Sequence, residues 1–322
     1  MLTAHPVAPH TPLKLKKIAV LTDFSPFAEA ALRWAAAMAR GYGAEIVLAH
    51  AYLPPACACA APEAALAIET FEACRENLED RLVNKAREPW LNGIHCSTAL
   101  CQGGTADLLQ DLQDADLIVV GTSGQTGLQR ALLGSTAEMV FRSSLKPVLT
   151  VGPHCECNQE GPVRIRTILC AVDVDSGTTG SLAYALSIAA RHNAQLLLLH
   201  VVEEPGITLA LEQACARAEV FEKFRKLLPD SATYASTTCL VGFGDTDSAI
   251  LMEARIHGAD LIVLGAHKTK VPAFTSRLPG GTAYNVAANS ECPVLTIPSG
   301  NGSVNGLALG VTSITESERS HE

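Results

Sequence analysis

No stretch of this 322-residue chain is apolar over the roughly 18 residues that a bilayer-spanning helix needs. The N-terminal run MLTAHPVAPHTPLKLKK carries its charges after a weakly apolar part and lacks the apolar core of an export signal, so a cytoplasmic location is expected. Basic runs are scarce as well. Beyond Lys14, Lys16 and Lys17 none occurs, and the net charge of −9 argues against a binder of phosphate backbones, which relies on clustered Lys and Arg. Neither nucleic acid nor membrane is expected as a partner. The GxxxxGK[ST] phosphate loop is absent, which excludes the P-loop NTPases.

A disulfide framework is not expected either, because the eleven cysteines are odd in number and no export signal accompanies them. Cys170, in an apolar run, and Cys292, before Pro293, occupy places suited to small reduced core thiols. Two CxC pairs stand out, Cys57 with Cys59 and Cys155 with Cys157. His154 adds a third candidate ligand to the second pair, one short of the four that closed zinc sites use, so no metal site is assigned.

What the chain does contain is the composition of an ordinary globular protein, 48% hydrophobic and 18% charged, at a length that suits two domains of about 150 residues each. Apolar strands alternate with helical segments. Lys16 to Ser25 gives a strand ending near Asp23, and Pro26 to Arg40 an alanine-rich helix closed by Gly41 and Gly43. Ala44 to Tyr52 is a second strand, followed by a helix over about Glu63 to Glu88 and a third strand from Ser97 to Cys101. Gly103-Gly104-Thr105 leads into a short helix. Leu117 to Val120 and Val148 to Val151 are the fourth and fifth strands.

The order then repeats. RTILCAVDVD sets Asp173 where Asp23 stood, the two following segments align His200 with His50, GADLIVLG echoes DADLIVVG, and CPVLTIP echoes KPVLTVG. A unit this long is a duplicated domain, and strands alternating with helices predict parallel sheets with right-handed crossovers. The expected boundaries are a loose tail at 1–14, a first domain at 15–152, a linker at 153–163, a second domain at 164–298 and a polar, disordered tail at 299–322.

The most informative stretch is DLIVVGTSGQTGLQRALLGST, from Asp116 to Thr136. Two residues separate Gly121 from Gly124, nine separate Gly124 from Gly134, and Ser135 follows. Glycines after a buried strand let backbone N–H groups approach a ligand, and the helix N-terminus near Ser135 adds partial positive charge, a combination that attracts phosphate. The plain alternative is that these glycines only turn the chain.

This Gly-two-Gly-nine-Gly-Ser pattern after an ADLIVVG-like strand resembles the universal stress protein family, in its ATP-binding branch. The resemblance spans Lys16 to Val151 and, more loosely, Arg164 to Pro298. It implies an α/β fold of two tandem doubly wound domains, Rossmann-like and akin to the adenine-nucleotide alpha-hydrolases, each with a five-stranded parallel sheet. It also implies ATP, with or without Mg2+, in the first domain. By that resemblance Thr22 and Asp23 face the nucleoside end, the Ala51 backbone meets the purine edge, and Val120 and Gly121 line the ribose. Gly124, Gly134, Ser135 and Thr136 hold the phosphates. The family's single domains pair through their fifth strands, which implies an intramolecular pseudo-dimer and leaves homodimerisation open.

Plainer readings stand beside these. Asp23 could instead cap the first helix. His50 and His200 suit core or rim histidines, and Glu138 with Arg142 suits a solvated helix pair. In the second half Lys268 replaces the second glycine, the loop to Gly280 is two residues longer, and Gly281 replaces the serine, so that half reads as degenerate. No catalytic residue is named. The reading is a nucleotide-binding stress-response module with at most slow ATP hydrolysis. The alternatives are a nucleotide-hydrolysing or nucleotidyl-transfer enzyme using His50 or Asp23, and a nucleotide-independent redox scaffold.

Overall fold

The structure, a computed structural model, describes residues 13–53, 61–122, 133–152, 155, 163–175, 180–203, 210–228, 236–266 and 281–298, with 61–70 described through their backbone. Gly124, Lys268, Gly280, Cys57, Cys59, His154, Cys157 and most of both expected tails and the linker lie outside them.

The first half runs β1 (Lys17–Leu21), α1 (Pro26–Tyr42), β2 (Glu45–Tyr52), α2 (Ala61–Ala86), β3 (Cys96–Gln102), α3 (Thr105–Asp111), β4 (Leu117–Gly121), α4 (Ser135–Ser143) and β5 (Val148–Val151). The second half runs β6 (Thr167–Ala171), α5 (Gly180–His192), β7 (Gln195–Val202), α6 (Ala210–Leu227), β8 (Thr237–Phe243), α7 (Thr246–Ile256), β9 (Leu261–Ala266), α8 (Thr282–Asn289) and β10 (Val294–Pro298).

Local chemistry sets the ends of α1. The Ser25 hydroxyl accepts the Ala28 N–H at 3.2 Å, and Pro26 opens the helix, where its missing N–H is harmless. Gly43 closes it with φ +68. Gly41, expected to share that role, instead lies within the last turn, where the His192 ring approaches so closely that a Cβ would sit 3.1 Å from its Nε2. The ADLIV echo also has a structural reason. Asp116 accepts the N–H groups of Lys16 and Lys17 at 2.8 and 3.0 Å, and Asp260 accepts those of Arg166 and Thr167 at 2.7 and 2.9 Å, each tying the start of a central strand to its neighbour.

All ten strands join one sheet in the order β3-β2-β1-β4-β5-β10-β9-β6-β7-β8. Neighbours within each half are parallel. The halves meet antiparallel through their fifth strands, Leu295 opposite Leu149, and the Thr150 hydroxyl donates to the Val294 carbonyl at 3.2 Å. The expected pairing of the two short margin strands is therefore present, and each covers the other's open edge. One face of the sheet packs α1, α2, α5 and α6 around Ile18, Leu32, Phe224 and Leu198. The other packs α3, α4, α7 and α8 around Leu108, Phe141, Ile250 and Val286. Phe141 meets Tyr284 of the second half edge-on at 6.3 Å, so the core is continuous across the junction. Trp34 and Met38 are buried, as their helical spacing suggests.

Candidate functional site

In each half the chain leaves the first strand towards one side and the fourth strand lies on the other, which opens a crevice beyond their carboxyl ends. In the first half that crevice is a cavity of about 270 Å³. Of the nine sequence-named residues, Thr22, Asp23, Ala51, Val120, Gly121, Gly134, Ser135 and Thr136 all line it. The ninth, Gly124, is outside the described residues.

The floor is the turn after β1. The Thr22 hydroxyl accepts the Phe24 N–H at 3.0 Å and the Asp23 carboxylate accepts the Ser25 N–H at 2.9 Å. The helix cap is thus Ser25, while Asp23 braces the residue that caps. Between them Phe24 is held at φ +62, a conformation unfavourable for a bulky side chain. Its ring packs against His50 at 5.0 Å and under the Arg81 guanidinium at 3.9 Å. His50 contacts the Thr22 carbonyl through Nδ1 at 2.6 Å, which fixes Nδ1 as the protonated nitrogen. His200 repeats the contact with the Val172 carbonyl at 3.1 Å. Both histidines brace the same turn, so the sequence reading of them as rim histidines describes their place.

Gly121 is a glycine for a packing reason. A Cβ there would stand 2.9 Å from the Phe27 carbonyl carbon and oxygen, so the first turn of α1 could not come so near β4. At α4, the Gly134 N–H donates to the Thr122 carbonyl at 2.6 Å and no side chain caps the helix. The N–H groups of Ser135, Thr136 and Ala137 therefore find no acceptor among the described residues and present partial positive charge to the cavity. Glu138 and Arg142 pair at 2.6 Å, both about one-third exposed.

The sequence reading missed Thr105 and Leu108, which also line the cavity. Gly103-Gly104-Thr105 starts α3 at the same sheet end, with Gly104 at the cap and Asp107 accepting its N–H at 2.8 Å.

The matching end of the sheet in the second half carries other side chains. From the paired strands, Val202 with Phe243 matches Tyr52 with Gln102, so Glu203, Asp245 and Asp247 take the places of Leu53, Gly104 and Ala106. Glu203 accepts from the Thr246 hydroxyl, Asp247 from the Asn285 amide, and Asp245 caps α7. Gly281 precedes α8 where the first half carries Ser135.

A family model described as the universal stress protein family matches the chain twice, over residues 14–152 and 164–298. A universal stress protein of Mycolicibacterium smegmatis is 26% identical over 297 residues, 87% of this chain and 96% of that protein. The universal stress protein MJ0531 of Methanocaldococcus jannaschii is 33% identical over 146 residues, 42% of this chain and 81% of that protein. Among solved structures, a universal stress protein from Archaeoglobus fulgidus aligns with a TM-score of 0.65 at 20% identity, covering 89% of this chain and 98% of its own, a likeness of fold.

Proposed function

The chain belongs to the universal stress protein family, with two of its domains in tandem, and on that premise we propose that the first domain binds ATP and acts as a stress-response signalling or regulatory module. The observation that supports this reading is that eight residues named from the sequence line one cavity, with the uncapped N-terminus of α4 at its rim. Ser135, Thr136 and the glycine loop receive the phosphates on backbone N–H groups, and Ala51 meets the purine with its backbone. Hydrogen bonds to charged groups are worth roughly 1.5–3 kcal/mol each, enough for binding near the micromolar range once ordering is deducted. Asp23 is the one carboxylate among the described lining residues. Mg2+ would therefore be held chiefly by the phosphates themselves, with Asp23 near the nucleoside end.

No catalytic group is assigned. The ring nitrogen and carboxylate that hydrolysis would call on, those of His50 and Asp23, brace the β1 turn, and their counterparts in the second half do the same.

The test is Ser135→Asp, read by titration calorimetry with ATP. A carboxylate at the start of α4 favours the helix by about 0.3–1 kcal/mol while repelling a triphosphate. The expected result is unchanged or slightly raised stability with ATP affinity reduced at least tenfold. Wild-type affinity in that variant would overturn the reading.

A further inference from the structure

A second cavity, of about 880 Å³, opens between the two domains and shares no lining residue with the β1–β4 crevice. One wall is the segment Leu13 to Lys16 with Tyr42 and Gly43 at the end of α1. The other is the second half of α5 with the first residues of β7 and β8. The segment before β1 is stapled across the junction, since the Leu13 N–H donates to the Ser187 hydroxyl of α5 at 3.1 Å.

Two features define what such a groove attracts. Its apolar surface comes from Leu13, Leu15, Leu186 and Leu196. Among its described lining residues the charged ones are all cations, Lys14, Lys16 and Arg191, in a chain with 33 acidic and 24 basic residues. Lys14 and Lys16 are exposed and take part in no ion pair among the described residues. Arg191 gives its Nε–H to the Gly41 carbonyl, leaving its terminal nitrogens for a ligand. The volume lies within the roughly 300–1,000 Å³ of small-molecule sites, and a one-sign rim on low-dielectric walls focuses the field on an opposite charge. Inorganic anions would leave the leucines uncovered, and a neutral hydrocarbon would leave the cations unused.

We propose that this interdomain groove binds an amphipathic organic anion, a carboxylate carried on an apolar body the size of a medium-length acyl chain. The site is independent of the nucleotide reading.

The experiment is calorimetric titration of the full chain, with ATP saturating, using three probes: decanoate, decyltrimethylammonium and acetate. Decanoate is expected to bind at least about tenfold more tightly than its cationic counterpart, and acetate not to bind. Lys14→Glu with Lys16→Glu is expected to weaken decanoate about tenfold. Ala190→Trp, at an exposed lining position of α5, is expected to abolish decanoate binding and leave the melting temperature and ATP binding as they were. Four results would each overturn the proposal: absence of decanoate binding, equal binding of the two decyl probes, displacement of decanoate by ATP, or indifference to both variants.

Discussion

The two halves of the molecule share a scaffold down to single hydrogen bonds and differ in the turns beyond the carboxyl ends of their strands. Asp116 and Asp260 clamp equivalent strands, and His50 and His200 brace equivalent carbonyls. Yet the turn after β1 holds Phe24 at positive φ, whereas Val174 in the second half is relaxed. Beyond the turns, Glu203, Asp245 and Asp247 stand at the positions equivalent to Leu53, Gly104 and Ala106. Among the described residues the strained turn after the first strand belongs to the first half alone, whereas α4 and α8 both begin without a side-chain cap. The comparison separates what the fold requires, which both halves keep, from what the proposed nucleotide site would require.

The largest expected effect breaks the scaffold of one half. Gly121→Ala would drive a Cβ into the Phe27 backbone, and since backbone cannot swing aside as a side chain can, the loss should approach 3 kcal/mol. Urea unfolding should register it as a lowered midpoint. A change under about 0.5 kcal/mol would mean that α1 can retreat from β4 without strain.

The next effect transplants the difference itself. Leu53→Glu with Ala106→Asp gives the first crevice two of the carboxylates of the second, at exposed positions where folding should tolerate them. ATP affinity should fall about tenfold, more at low salt than at high, as expected for partly screened repulsion. Affinity that does not change would show that these positions lie beyond reach of the phosphates, and that the acids of the second half do not explain any difference between the domains.

Much of this was legible in the sequence, because apolar strand runs, helical periodicity and glycine spacing are local signals. The apolar runs and their repeat placed nine of the ten strands, all but β8, and the fifth-strand pairing that the resemblance implies is present between Val148 to Val151 and Val294 to Thr296. Three things were not legible. Gly121 looks like a phosphate-loop glycine, but the approach of α1 that demands it is a tertiary contact. Asp23 and Ser25 are both good caps by type, and only the turn geometry shows which hydroxyl or carboxylate reaches the helix. Thr105 joins the cavity from a separate crossover, which no spacing within the 116–136 stretch could reveal.

A smaller effect probes how the halves end equivalent helices. Gly43 closes α1 at φ +68, and Asn193 does the same for α5 at φ +52. Asn tolerates this conformation better than other side chains but less well than glycine. Asn193→Gly should be neutral or stabilising by a few tenths of a kcal/mol, and Asn193→Ala destabilising by about 1 kcal/mol. Equal melting temperatures for the two variants would show that the cap is not held in that conformation.

The smallest effect concerns the same helix end, one residue earlier. His192 stands where the first half has Tyr42, its Nε2 buried against Gly41 without a hydrogen-bond partner among the described residues. Burial, with the neighbouring Arg191 charge adding to it, holds its pKa below the usual 6.5. Between that lowered value and 6.5 the unfolded chain binds more protons than the folded one. The contribution to stability is therefore complete above 6.5 and is lost as the pH falls through the lowered value. Melting temperature should decline over that window by less than the Asn193→Ala effect, and His192→Gln should flatten this part of the profile because nothing there titrates. A wild-type profile that Gln leaves unaltered would assign the acid sensitivity to other groups and remove this asymmetry between the two helix ends.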